Sequence, residues 1–142
     1  MRYLGLDLGT KTLGIAISDR TLSIANPYKT ITFKSTDELI EPLKEIINRE
    51  GIAKIALGLP KNMDNSLGFA SKRSMDFKEL LQKHIDIPII LVDERLSTME
   101  AERYLLDADM SRKKRKNKID AVAASVILNT YLRMKGNGYD EW

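Results

Sequence analysis

Hydrophobic and polar positions mark out the elements before any chemistry is considered. RYLGLDL, residues 2–8, is apolar or glycine at almost every position, the pattern of a strand buried on both faces. LGIAISD repeats that pattern after GTKT, a glycine-bounded turn, so the two segments should form a hairpin. SIANPYKTITF reads as a third strand, with Pro27 marking an irregular or edge start. STDELIEPLKEIINREG then switches to helical spacing. Ser35 and Glu38 have capping-box spacing, Leu39, Leu43, Ile46 and Ile47 form one apolar face, and Gly51 supplies a C-terminal stop. Pro42 falls inside this pattern and should kink the helix.

IAKIALGLP is a buried strand ended by Gly58 and Pro60, and KNMDNS is a loop into a helix over roughly Leu67 to Lys83. IPIILVDE is a second buried strand. STMEAERYLLDADM predicts a helix with a capping box at Ser97 and Glu100, and a basic run follows it. The last helix, KIDAVAASVILNTYLRM, puts Ile119, Val122, Ala123, Val126, Ile127, Tyr131 and Met134 on one face. Hairpins make the first three strands antiparallel, and helical crossovers make the last two parallel. The expected fold class is α/β: a five-stranded mixed sheet flanked by helices, in one domain spanning residues 1–142.

Composition narrows the chemistry. The 142 residues contain no cysteine and one histidine, His84, which removes disulfides and thiol nucleophiles and argues against a hydrolase triad or zinc site. No apolar run approaches the roughly 20 residues of a bilayer span, and no signal-peptide pattern opens the chain, so a cytoplasmic protein is the expectation. The net charge is only +3, yet SRKKRKNK concentrates Arg112, Lys113, Lys114, Arg115, Lys116 and Lys118 without an anion. Such a cluster is either a solvated loop or a polyanion contact. Aromatic residues make up 6% of the chain and are scattered, so no base-stacking platform is expected.

Three groups of acids break the apolar pattern. Asp7 lies inside the first strand, Asp93 and Glu94 end the strand IPIILV, and Asp120 falls in the first turn of the expected last helix, in line with positions 123, 124, 127 and 131. A buried carboxylate is costly unless it is paired or bound to a cation. Each acid has a local explanation: Asp7 capping the GTKT turn, Asp93 or Glu94 pairing with Arg95, Asp120 complementing the helix dipole. Taken together, acids at the ends of apolar elements suit a hard divalent cation, Mg²⁺ or Mn²⁺, of the kind that activates water in phosphodiester cleavage. In a regular strand Glu94 shares a side with Ile90 and Val92; Asp93 is the other candidate ligand. Lys11 and Thr10, in the turn beyond Asp7, could meet phosphate.

DLGTKTLGIAISD, GLPKNMDNS, VDERLST and KIDAVAASVIL, in this order, resemble the motifs of the YqgF/RuvX family, the Holliday-junction-resolvase-like nucleases, and the resemblance runs from about residue 1 to 135. It implies a ribonuclease-H-like fold and a metal-dependent nuclease site carried by Asp7, Glu94 and Asp120. It also implies a role in maturing the 5′ end of the small-subunit ribosomal RNA precursor, in the cytoplasm, with structured RNA as the partner and branched DNA as the alternative. Two readings from other classes stand beside it: a phosphate-sensing ATPase-like domain, and an RNA-binding assembly factor without turnover.

Overall fold

The computed structural model describes residues 1–60, 68–93 and 112–136. Five strands form one sheet: β1 (Arg2–Leu8), β2 (Thr12–Ser18), β3 (Ala25–Thr32), β4 (Ile52–Leu59) and β5 (Ile89–Asp93), in the order β3-β2-β1-β4-β5. β1–β2 and β2–β3 are antiparallel, and β1–β4 and β4–β5 are parallel. This is the expected mixed sheet, with β1 at its centre. Three α-helices lie among the described residues: α1 (Ile40–Glu50), α2 (Phe69–His84) and α3 (Arg112–Gly136).

Strand alternation sorts the core into two layers. Leu4, Leu6, Leu13, Ile15, Ile55, Leu57 and Ile89 leave one face of the sheet and pack with Leu43 and Ile46 of α1 and Phe77 and Leu81 of α2. Tyr3, Ala56, Ile90 and Val92 leave the other face and meet Ile127, Leu128 and Tyr131 of α3. Fully burying each of the large apolar groups contributes about 1.5–3 kcal/mol. Tyr3 and Tyr131 add a tilted ring pair with centroids 6.0 Å apart.

α3 crosses β1 where the strand has no side chain. A β-carbon on Gly5 would lie 2.6 Å from the Ala124 carbonyl oxygen and 2.8 Å from Leu128 Cβ. One on Gly14 of β2 would overlap the carbonyl of Asp120. The small alanines at 121, 123 and 124 permit the same approach from the helix side, and all three are buried. Asn129 ties α3 to the third strand: its Oδ1 accepts from Ala25 N at 2.8 Å and its Nδ2 donates to Ala25 O at 3.3 Å.

The structure revises three local expectations. The Ser35–Glu38 capping box forms, but it caps a 3₁₀ turn, Thr36–Leu39, and α1 starts afresh at Ile40. Pro42 therefore sits in the first turn of α1, where its missing N–H has no partner to lose, and it imposes no mid-helix kink. Gly51 ends α1 in the left-handed conformation at φ 66°, with its N–H on the Ile47 carbonyl.

The second revision concerns α2, which begins at Phe69; Ser71 Oγ donates to the Pro60 carbonyl and so ties its first turn to the end of β4. The third is the last helix. It starts at Arg112, not near Lys118, so the basic run is helical and continuous with the buried segment. Propensity explains this, because Lys and Arg are good helix formers and no Pro or Gly interrupts residues 112–135. The loop 61–66 and the helix expected from Ser97 lie outside the described residues.

Candidate active site

The site grows from the pairing of β1 with β2. Asp7 is the cross-strand partner of Gly14, so its side chain leaves the sheet on the face where a Gly14 β-carbon would point. That face is the one covered by α3 at Asp120. Successive outward positions of β1 meet α3 in antiparallel order: Tyr3 beside Tyr131, Gly5 beneath Ala124 and Leu128, Asp7 at the level of Asp120. Two acidic residues more than a hundred positions apart in the chain thus stand on one face at the same level, at the end of the apolar layer.

Each of the two has a distinct setting. Asp7 is half-buried, and its carboxylate has no hydrogen bond or ion pair among the described residues. The turn that follows it is closed by the main chain, with Gly9 N donating to Thr12 O at 2.8 Å, so the fold does not use Asp7 as a turn cap. Asp120 is also half-buried, and its Oδ2 accepts from Thr12 Oγ1 at 2.8 Å. It is the ninth residue of α3, two turns beyond the helix start, so the dipole explanation for an acid there does not apply. The expectation that Asp120 lies in the first turn fails because the basic run joined the helix.

Asp93 behaves differently. It ends β5 on the same parity as Ile89 and Leu91, which pack in the α1–α2 layer, and so it lies on the face opposite Asp7 and Asp120. Ile90 and Val92 face α3. Glu94, the next position, lies outside the described residues. Among the described residues no three acidic or imidazole groups form a metal cluster. The pair Asp7–Asp120 nevertheless fits a hard cation in the nature of its donors: two acidic residues on one face, Asp7 without a partner among the described residues, as Mg²⁺ takes together with water and substrate oxygens.

The cationic residues flank this pair. Lys11 is exposed at the hairpin tip, next to exposed Thr10. Arg112, Lys113, Lys114, Arg115, Lys116 and Lys118 occupy the two turns of α3 before Asp120, within about 12 Å of it along the helix axis. His84 is the last residue of α2, on the layer away from the site. Two residues here were not singled out by sequence pattern. Gly14 provides the clearance for Asp120, and Thr12 provides its hydrogen bond. Gly14 carried a signal, as a glycine amid the apolar positions of a buried strand, but the Thr12–Asp120 contact joins residues 108 apart and has no local signature.

Among the described residues no helix is long and apolar enough to cross a membrane. Residues 1–134 match the family described as RuvX, Holliday junction resolvase. A relative from Halothermothrix orenii, provisionally named a pre-16S rRNA nuclease, is 48% identical over 132 residues, which is 93% of this chain and 94% of that protein. One from Thermoanaerobacter pseudethanolicus with the same provisional name is 48% identical over 138 residues, 96% of this chain and 99% of that protein. Among solved structures, T. thermophilus RuvC in complex with Holliday junction substrate superposes with a TM-score of 0.62 at 15% identity, covering 95% of this chain and 96% of that one. The complex of fowlpox virus resolvase with Holliday junction DNA gives 0.55 at 14% identity, covering 95% and 99%. These likenesses show the ribonuclease-H-like fold that the strand order describes.

Proposed function

The chain belongs to the RuvX family, and from that premise we propose that it is a metal-dependent nuclease that hydrolyses phosphodiester bonds while the 5′ end of the 16S ribosomal RNA precursor is processed. The observation that carries the reading is the meeting of Asp7 and Asp120 on one face, with the Asp7 carboxylate lacking a partner among the described residues. Asp7 and Asp120 would hold Mg²⁺ or Mn²⁺, with Glu94, carried over from the family motif, as third ligand. A divalent ion held there supplies an activated water and offsets charge on the phosphoryl oxygens.

The chain's own groups do the remainder. Asp7, on the central strand, is paired with Gly14 of β2 and follows Leu6, which pairs with Leu57 of β4. The apolar wall formed by Ile127, Leu128 and Tyr131 closes the site from the interior. Lys11 and the cations of the first turns of α3 grip backbone phosphates, which gives salt-sensitive affinity with little dependence on base sequence. A substrate of this kind puts the protein at work in the cytoplasm.

The test is cleavage of end-labelled 16S precursor RNA and of branched DNA side by side, with Mg²⁺, Mn²⁺ or chelator, by the wild-type protein and Asp7→Asn. The reading expects metal-dependent cleavage of the RNA that Asp7→Asn abolishes while its melting curve stays cooperative. Undiminished cleavage by Asp7→Asn, or in chelator, rules the site out. Preferred cleavage of branched DNA moves the substrate to the resolvase class, and RNA binding without turnover under any metal condition makes the protein an assembly factor.

A further inference from the structure

Resting on the nuclease reading, we propose that Lys34 is a phosphate contact of the substrate RNA, so that the nucleic-acid interface runs from α3 across the hairpin tip to the end of β3. The pairing of β2 with β3 ends at Thr12 and Thr32. One further main-chain bond follows it, from Phe33 N to Lys11 O at 2.9 Å. Antiparallel geometry therefore stands Lys34 beside Thr10 and Lys11, with the two lysine Cα atoms on the order of 6 Å apart. The tip they share is the one that follows Asp7 on the β1–β2 hairpin.

This corner has the make-up of a surface for a polyanion. Thr10, Lys11, Thr32 and Lys34 are all exposed, so hydroxyl donors lie among the cations. The backbone beneath them is held in place. Phe33 is buried in the α1–α2 layer, and Glu38 Oε2 accepts from Lys34 N at 3.1 Å and from Ser35 N at 2.7 Å. The Glu38 carboxylate is thus engaged by main-chain amides. Arg2, Lys44 and Arg49 each have a carboxylate oxygen within 4.0 Å. Lys11 and Lys34 have no ion pair among the described residues, although Asp37 is exposed nearby. Two ammonium groups this close and without a counter-ion repel each other, and a bound phosphate relieves that repulsion. The corner offers donors and no exposed ring, which fits the RNA backbone and not its bases. Its preordered main chain also lowers the entropy cost of binding.

The experiment measures binding of end-labelled 16S precursor RNA in chelator at several salt concentrations, for wild type, Lys34→Gln, Lys34→Arg and Lys44→Gln. Lys44 lies in α1, on the layer away from Asp7, and is the control. The proposal expects Lys34→Gln to lower the slope of log affinity against log salt by about 0.7–0.9, which is about 5–8-fold weaker binding at 0.1 M salt for proteins that converge at 1 M. Lys34→Arg should restore the slope, and Lys44→Gln should leave it unchanged. Lys34 is exposed, so its variants should melt as wild type does. A Lys34→Gln slope equal to that of wild type overturns the proposal, and so does an equal loss in Lys44→Gln, which would mark a general charge effect. Cleavage with Mn²⁺ separates this contact from the reading it rests on. If wild type cleaves the RNA while Lys34→Gln binds it equally well, the contact alone falls. If wild type never cleaves but Lys34→Gln weakens RNA binding as expected, the nuclease reading alone falls. A wild type that binds no RNA overturns both.

Discussion

Gly14→Ala adds one methyl group where the structure has the least room. The new carbon would overlap the carbonyl of Asp120 and lie 3.0 Å from Ala121 N. These are main-chain atoms inside a helix and cannot rotate aside, so α3 must lift from β2 by on the order of 1 Å to restore ordinary contact. Overpacking of this kind costs about 1–3 kcal/mol, and backbone as the obstacle favours the upper part of that range. Replacing glycine in a strand returns roughly 0.5–1 kcal/mol of chain entropy. The net loss is about 2 kcal/mol, which for a chain of this length lowers the melting temperature by roughly 6 °C.

The effect on cleavage should be larger than that on folding. Lifting α3 at Asp120 draws one carboxylate away from Asp7 and Thr12, and a displacement of about 1 Å at reacting groups can cost on the order of 10²-fold in rate. Gly5→Ala is the control. Its methyl would meet the Ala124 carbonyl oxygen at 2.6 Å, one turn further along α3, so it should cost similar stability and less activity. Calorimetry gives the first quantity, and Mn²⁺-dependent cleavage of precursor RNA well below the melting transition gives the second. A Gly14→Ala protein that melts and cleaves like wild type would show that α3 does not sit on β2 at Asp120. One that loses stability but keeps full activity would separate this packing from the site.

Three further outcomes follow from features away from the carboxylates. Leu43→Ala opens a cavity in a fully buried position of the α1–α2 layer, and should cost about 2–5 kcal/mol by urea denaturation while leaving cleavage of the folded fraction intact; a smaller loss would mean that this layer collapses around the gap. Asp19 is held below its usual 3.8, first by the Thr21 hydroxyl and then by the N–H groups of Ile24 and Ser23. Because the folded value is depressed, its contribution is present above pH 3.8 and fades as pH falls through the folded value. The melting temperatures of wild type and Asp19→Asn should therefore differ at neutral pH and converge in acid, and a constant gap would refute the assignment. Replacing Lys113, Lys114 and Lys116 by glutamine should weaken RNA binding at all sequences alike and flatten the plot of log affinity against log salt by roughly 0.7–0.9 for each phosphate that is no longer neutralised; an unchanged slope would remove these residues from the interface.

Much of the architecture could be read from local pattern. The hairpin at GTKT, the continuous apolar runs of β4 and β5, and the stop at Gly51 each depend on neighbours in the chain, and the structure has them where the pattern put them. The capping box at Ser35 was legible too, but not the kind of helix it starts, because a 3₁₀ turn and an α-turn use the same cap. The start of α3 was misplaced for a related reason. A run of like charges suggests a solvated loop, whereas its helix propensity and the anchored segment behind it favour continuation.

At the candidate site, Asp7 stood out because an acid in a buried strand needs a reason. Its neighbour Asp120 was found by helical periodicity, even though its distance from the helix start was wrong. The role of Thr12 could not be found this way, since hydroxyls at strand starts are common and only the β1–β2 register and the close approach at Gly14 bring Asp120 to it.

The unbroken run of α3 from Arg112 to Gly136 has a mechanical consequence. A helix without proline or glycine in its interior has no natural hinge, so the cationic turns and Asp120 move as parts of one rod clamped to the sheet at its far end. On the proposed reading, tension from a polyanion held by the cationic turns would be felt at the Asp120 carboxylate. On that reading recognition and chemistry would share a lever, and a misplaced substrate would disturb a group proposed to act in cutting it.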